Sequence, residues 1–80
     1  MMDDIKQKVR SFLSKNKSTE QIKDDDDLFE KGFVDSLFSL QLIMYLEKEF
    51  RLRIKNKDIN EDNFRSIDKI AETVTRLKKK

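Results

Sequence analysis

The chain has 80 residues, a formal net charge of +2, and neither cysteine nor histidine. A chain of this length is expected to form a single domain over residues 1–80, and without those two residue types it lacks the usual zinc ligands, thiol nucleophiles and Ser-His-Asp triads. An enzyme is therefore not expected, and the short apolar runs and acidic start predict a cytoplasmic protein with no membrane span.

The first segment has the pattern of an amphipathic helix. Its apolar residues recur at spacings of four, three and one, and two aspartates stand at its start. This pattern predicts a helix from Asp3 or Asp4 to about Lys15. The apolar positions that define it are Ile5, Val9, Phe12 and Leu13.

A long polar connection follows and contains four adjacent aspartates, residues 24–27. Calcium binding of the EF-hand type is not expected, because Leu28 stands where an oxygen ligand is needed and Phe29 where a glycine is needed. Mutual repulsion instead predicts a solvated loop or a helix start. Beyond the run, Gly32 predicts a turn, and four apolar residues are expected to pin the loop to the core: Leu28, Phe29, Phe33 and Val34.

The next segment, residues 36–50, predicts a helix that begins at Ser36 and has two apolar stripes. The first stripe consists of Leu42, Ile43, Leu46 and Phe50. The second consists of Leu37, Leu40 and Met44, bordered by Phe38, Gln41, Tyr45 and Lys48. Because the flanking helices supply enough apolar residues to cover only the first stripe, we interpret the second as a docking face.

The last third of the sequence predicts an extended connector, a short helical turn and a final helix. Residues 51–55 alternate polar and apolar side chains, so Leu52 and Ile54 are expected to point inward. One turn of helix is expected around Asp58, and Ser66 is expected to cap the final helix. The apolar stripe of that helix is Ile67, Ile70, Ala71, Val74 and Leu77, and the terminal lysines Lys78, Lys79 and Lys80 suit the negative end of its dipole.

The fold class is therefore all-α: three main helices, one short helix and a long loop between the first and second helices. Charge is uneven along this layout, because residues 1–50 hold 8 basic and 11 acidic side chains, whereas residues 51–80 hold 10 basic and 5 acidic ones. A solvated helix face explains this asymmetry more simply than nucleic-acid binding, which would require a basic stripe with a recognition element.

Ser36 admits two interpretations. Its hydroxyl could cap the helix and do nothing more. Alternatively, a phosphate attached to it would lie in the favourable field of the helix start, beside a docking face, at the end of a long loop. The length of the loop favours the second interpretation, because long loops in compact bundles are usually functional.

The layout resembles the acyl and peptidyl carrier proteins over nearly the whole chain. Four stretches carry the resemblance: the helix with Ile5, Val9 and Phe12; Gly32-Phe33-Val34-Asp35-Ser36-Leu37; Leu46-Glu47-Lys48-Glu49-Phe50; and Asn63-Phe64-Arg65-Ser66-Ile67. The resemblance implies a four-helix bundle and a covalent 4′-phosphopantetheine group, derived from coenzyme A, on Ser36. Ser39 is the less favoured attachment site, because it lies toward the core side of the helix.

The resemblance also implies partners. They are a phosphopantetheinyl transferase, a ligase that loads an acyl or aminoacyl group as a thioester, and a downstream acyltransferase, synthase or dehydrogenase. The carrier itself would be a monomer without catalytic residues. The residues expected to meet these partners are Asp35, Leu37, Phe38, Leu40, Gln41, Met44, Tyr45 and Lys48.

The chain departs from fatty-acid-synthesis carriers at positions where they have acidic side chains, since Phe38, Gln41 and Lys48 stand there instead. Docking is therefore expected to rely on apolar contacts. This favours a stand-alone carrier of specialised metabolism, similar to polyketide or nonribosomal-peptide carriers, or a carrier of D-alanine. The alternative is a helical protein-interaction module without a prosthetic group, in which Ser36 would be dispensable.

Overall fold

The computed structural model describes residues 2–15 and 17–78 of the chain. Within these ranges the fold is all-α, and the predicted fold class is confirmed. In chain order the elements are α1 (Met2–Leu13), α2 (Ser36–Phe50), a 3₁₀ turn (Asn56–Asp58), α3 (Glu61–Phe64) and α4 (Ile67–Lys78).

The helix boundaries follow from local signals in the sequence. Helix α1 has Asp3 and Asp4 in its first turn, where negative charge suits the helix dipole, and it ends at Leu13, two residues earlier than predicted. Helix α4 is capped as expected, because the Ser66 hydroxyl oxygen accepts a hydrogen bond from the Lys69 N–H at 3.1 Å. The predicted dipole contacts of Lys79 and Lys80 lie outside the described residues.

The core lies where α1 packs along α4, with α2 and α3 closing its other sides. Each helix contributes its apolar stripe, as the periodicity predicts. No helix in the described parts of the chain has the length and apolar character needed to cross a bilayer. The largest side chains that are fully buried are those of Leu13, Leu28, Leu42, Leu46, Ile67 and Ile70.

A sharp turn after α2 leads into the extended connector. Arg51 adopts a left-handed conformation, with φ of 53°, and its N–H donates to the carbonyl oxygen of Glu47. The Glu47 carboxylate then accepts a hydrogen bond from the Ile54 N–H at 2.9 Å. Ile54 is buried and Leu52 is half-buried, so the predicted inward positions are confirmed.

The long loop between α1 and α2 is held against the turn between α3 and α4 by two backbone hydrogen bonds. The Leu28 N–H donates to the Arg65 carbonyl at 2.7 Å, and the Asp68 N–H donates to the Asp24 carbonyl at 2.9 Å. Leu28 and Val34 are buried, and Gly32 supplies a turn with φ of 80°. The loop is therefore part of the packed structure, as its apolar residues predict.

Candidate functional site

The first turn of α2 is capped by Asp35. Its backbone is extended, and its Oδ1 accepts a hydrogen bond from the Phe38 N–H at 2.7 Å. Ser36 is the first residue of the helix itself. The interpretation in which the Ser36 hydroxyl caps the helix is therefore wrong, because the neighbouring carboxylate already does so.

The Ser36 hydroxyl is consequently available for chemistry. Ser36 is exposed, and its hydroxyl takes part in none of the hydrogen bonds found among residues 2–15 and 17–78. The N–H groups of the first helical turn point toward the same end of α2, where the helix dipole is positive. A phosphate ester formed on this oxygen would therefore be electrostatically stabilised.

A second hydroxyl, that of Ser39, is in a different state. Ser39 is half-buried, and its Oγ donates a hydrogen bond to the Ser36 carbonyl oxygen at 2.8 Å. This bond to the preceding turn directs the Ser39 hydroxyl back along its own helix. Of the two serines, Ser36 has the more accessible oxygen.

The second apolar stripe of α2 is exposed, as predicted. Leu37 is 69% exposed, Leu40 55% and Met44 68%. We call these three residues, with the exposed Gln41 and Lys48 at their border, the outer face of α2. Three large apolar side chains exposed side by side next to an accessible serine are typical of a protein-binding surface.

Two residues predicted for docking lie elsewhere. Phe38 is only 9% exposed, and its ring centroid is 5.4 Å from that of Phe12, so the expectation that it stands on the outer face is wrong. Tyr45 is half-buried and stacks on the same Phe12 ring at 4.5 Å. Both rings turn toward α1 because Phe12 offers an aromatic surface there, a long-range partner that the periodicity of α2 does not reveal.

The loop that leads to Ser36 is anchored by Arg10 of α1. Its guanidinium donates hydrogen bonds to the carbonyl oxygens of Thr19 at 3.0 Å and Ile22 at 2.7 Å, and to the carboxylate of Asp24 at 2.7 Å. One side chain thus ties three points of the loop to the first helix. The sequence carries no signal for this role, because Arg10 stands on the polar side of an amphipathic helix like any solvated cation.

The aspartate run is more structured than the predicted solvated loop, and that expectation is corrected. Arg10, through its hydrogen bond, and then Lys6 lower the pKa of Asp24 below its ordinary value of 3.8. Asp26 accepts a hydrogen bond from the Lys23 N–H, and Asp27 accepts from two backbone N–H groups that follow it. Repulsion within the run is offset because three of its carboxylates have separate partners.

Lys6 links this loop to α4. Its ammonium lies 2.8 Å from the Asp68 carboxylate and 3.5 Å from that of Asp24. The hydrogen bond to Asp68, followed by the attraction of both carboxylates, raises the pKa of Lys6. Charged contacts therefore join α1, the loop and α4.

Comparisons with known proteins agree with this geometry. A family model described as "Phosphopantetheine attachment site" matches residues 3–74. The D-alanyl carrier protein of Streptococcus mutans is 31% identical over 77 residues, which cover 94% of this chain and 96% of the relative. The D-alanyl carrier protein of Streptococcus sanguinis is 37% identical over 54 residues, 68% of each chain.

Proposed function

The chain belongs to the family of phosphopantetheine-bearing carrier proteins, and from this premise we propose that Ser36 is its attachment residue. The supporting observation is the Asp35 cap, which leaves the Ser36 hydroxyl exposed at the positive end of α2 and without a hydrogen bond to any described residue. The family's 4′-phosphopantetheine is covalently attached, and this site fits it, because the phosphate would meet unpaired N–H groups and the arm would extend into solvent. When bound, the group supplies a terminal thiol that holds acyl or aminoacyl cargo as a thioester.

Attachment requires a partner enzyme. Ser36 Oγ forms a bond to the β-phosphorus of coenzyme A, the bond to the leaving adenosine bisphosphate breaks, and the hydroxyl proton passes to a base. We assign that base to the phosphopantetheinyl transferase, because no described side chain of this chain is hydrogen-bonded to the Ser36 hydroxyl. The chain thus acts as a substrate and carrier, and its partners perform the catalysis.

We propose an aminoacyl group as the cargo. The name of both relatives, D-alanyl carrier protein, supports D-alanine, loaded by an ATP-dependent ligase. A short acyl group of specialised metabolism is the second candidate, and the largely apolar outer face of α2 fits partners of either kind. In both cases the loading enzyme would dock on Leu37, Leu40 and Met44, next to Ser36.

The attachment site is tested by incubating the chain with coenzyme A and a promiscuous phosphopantetheinyl transferase. Intact mass spectrometry should show one added phosphopantetheinyl group, and a thiol reagent should detect one thiol in a chain that has no cysteine. Ser36→Ala should abolish both signals, whereas Ser39→Ala, the matched control, should retain them. Modification of Ser36→Ala would show that another residue is the attachment site.

The cargo is tested separately with the modified protein. A D-alanine-activating ligase should transfer radiolabelled D-alanine to it with ATP, and hydroxylamine should release the label, as expected for a thioester. L-alanine and short carboxylic acids with their own ligases serve as competitors. If a short acid is loaded with the higher kcat/KM, the second candidate replaces D-alanine.

A further inference from the structure

A cluster of exposed cations lies at the end of the molecule away from Ser36. Helix α2 runs from Ser36 to Phe50, so its two ends are about 20 Å apart at 1.5 Å per residue. The connector after it and the end of α4 carry six exposed basic residues, which we call the basic pole: Arg51, Arg53, Lys55, Lys57, Arg76 and Lys78.

The backbone holds the cations of the connector outward. A hydrogen bond of 2.9 Å from the Ile54 N–H to the Glu47 carboxylate holds the extended segment in place. Because neighbouring side chains of an extended segment point in opposite directions, the inward positions of Leu52 and Ile54 place Arg53 and Lys55 on the solvent side. Arg51, in the left-handed turn before them, is also exposed. The positive surface is thus a consequence of the fold.

These cations have few internal partners. In the described parts of the chain, the side chains of Arg51, Arg53, Lys55 and Lys57 form no ion pair or hydrogen bond, whereas Arg10 and Arg65 form several. Among the described residues, Asp58 supplies the one carboxylate that lines the groove between the connector and the end of α4, and it is buried with its Oδ1 3.6 Å from the Arg76 guanidinium. The neighbouring carboxylates of Glu47 and Glu49 are already bound to Ile54 and Lys8.

The shape of the basic pole favours phosphate groups. A groove of about 380 Å³ lies between the connector and the end of α4, and its rim carries Arg51, Arg53, Lys55 and Lys78. Guanidinium groups bind phosphate oxygens in pairs and with defined geometry, so two unpaired arginines at one groove form a phosphate-binding surface. Half-buried Phe50 and Leu52 also line this groove.

We propose that the basic pole binds the phosphate headgroups of an anionic phospholipid surface. Nucleic acid fits less well, because the pole is an extended connector with no helix to enter a groove, and the Phe50 ring is covered by Lys8 and Lys78 instead of being free to stack on bases. Since Ser36 lies at the other end of α2, a membrane-bound molecule keeps its attachment residue accessible. This binding requires no prosthetic group, so it is independent of the proposed function.

The test measures co-sedimentation of the full unmodified chain with vesicles. Vesicles rich in phosphatidylglycerol should bind the protein at low ionic strength, and pure phosphatidylcholine vesicles should not. The triple variant Arg51→Gln/Arg53→Gln/Lys55→Gln should bind about a hundredfold more weakly, at about fivefold per cation removed. A matched triple variant with the same charge change, Lys23→Gln/Lys31→Gln/Lys69→Gln, should lose far less, and circular dichroism checks that both variants fold.

Three results would overturn the proposal. The first is no binding to phosphatidylglycerol vesicles. The second is an equal loss of vesicle affinity in the two triple variants, which would indicate a response to net charge alone. The third is tighter binding to duplex DNA than to the vesicles.

A further measurement addresses the orientation of the bound protein. The rate at which a transferase modifies Ser36 should be the same with and without phosphatidylglycerol vesicles, and a strong decrease would contradict the accessible Ser36.

Discussion

The carboxylate of Asp35 accepts a hydrogen bond from the backbone N–H of Phe38 at 2.7 Å. This bond caps α2, so the hydroxyl of Ser36, which lies between the two residues, is not needed as the cap. The same turn places the Phe38 ring in the core against Phe12. The cap, the exposed serine and the core contact are therefore parts of one local structure.

Asp35→Ala should lower the free energy of unfolding by about 1 kcal/mol, because the first turn of α2 loses its cap. Asp35→Asn should retain most of the stability, since its amide oxygen can accept the same bond. Urea denaturation followed by circular dichroism measures both. Asp25→Ala, at an exposed loop aspartate, is the control and should be neutral; equal midpoints for Asp35→Ala and the wild type would show that the cap contributes nothing.

Arg10→Met should lower the free energy of unfolding by about 2 kcal/mol, because three hydrogen bonds that hold the loop are lost while the apolar stem is kept. The amide protons of residues 19–24 should exchange faster with solvent, as hydrogen exchange can show. Gln7→Met, at an exposed position of the same helix, serves as the control. Unchanged exchange in the loop would contradict the anchoring role of Arg10.

Asp24 should make stability depend on acid pH. Its pKa is lowered in the folded state, chiefly by the hydrogen bond from Arg10, so its contribution is present above the ordinary value of 3.8 and is lost as the pH falls through the folded-state pKa. Asp24→Asn should therefore be less stable than the wild type near neutral pH, and the difference should shrink below about pH 4. Urea midpoints of the variant and the wild type across this pH range measure the difference in stability, with Asp25→Asn as the control. A difference that stays constant with pH would contradict a lowered pKa of Asp24 in the folded state.

Gly32→Ala should destabilise the protein by about 1 kcal/mol, because a φ of 80° is strained for a residue with a Cβ atom. Steric crowding adds little. The nearest atom to such a Cβ, at 3.4 Å, is the Nζ at the flexible end of Lys17. Thermal melts followed by circular dichroism measure the change in stability. Lys31→Ala, at the exposed neighbouring position, is the control and should be neutral. Equal melting temperatures for the two variants would contradict the conformational explanation.

Met44→Gln should reduce kcat/KM for loading by the partner ligase by about tenfold, because the outer face loses an apolar contact. Its unfolding free energy should be nearly unchanged, since Met44 is 68% exposed. The core variant Leu42→Ala should show the opposite pattern, with stability reduced by about 3 kcal/mol. Loading should also depend only weakly on ionic strength, and a steep salt dependence would indicate docking through charge.

Much of the fold could be predicted from the sequence because its signals are local. The spacing of Val9 and Leu13, or of Ile67 and Ile70, reports which side of a helix faces the core, whatever the partner helix is. The exposed stripe of Leu37, Leu40 and Met44 was recognisable for the same reason, since apolar residues remained after the other stripes had been paired. Ser36 stood out because it opens that helix at the end of a long loop.

Other features depend on residues far apart in the chain. Phe38 and Tyr45 turn toward the core only because α1 brings Phe12 beside them. Asp24 and Asp27 of the loop gain ion pairs only because Arg10, Lys6 and Arg65 come within reach of their carboxylates.

The sequence by itself therefore determined the helices, their buried stripes and the serine at the start of α2, since these follow from the periodicity and capping chemistry of neighbouring residues. Only the tertiary structure decided that both aromatic rings bordering the outer face, those of Phe38 and Tyr45, turn toward α1, and that Arg10 ties the loop before Ser36 to the first helix. Those outcomes depend on three-dimensional packing and hydrogen-bond geometry, and no spacing along the chain encodes them.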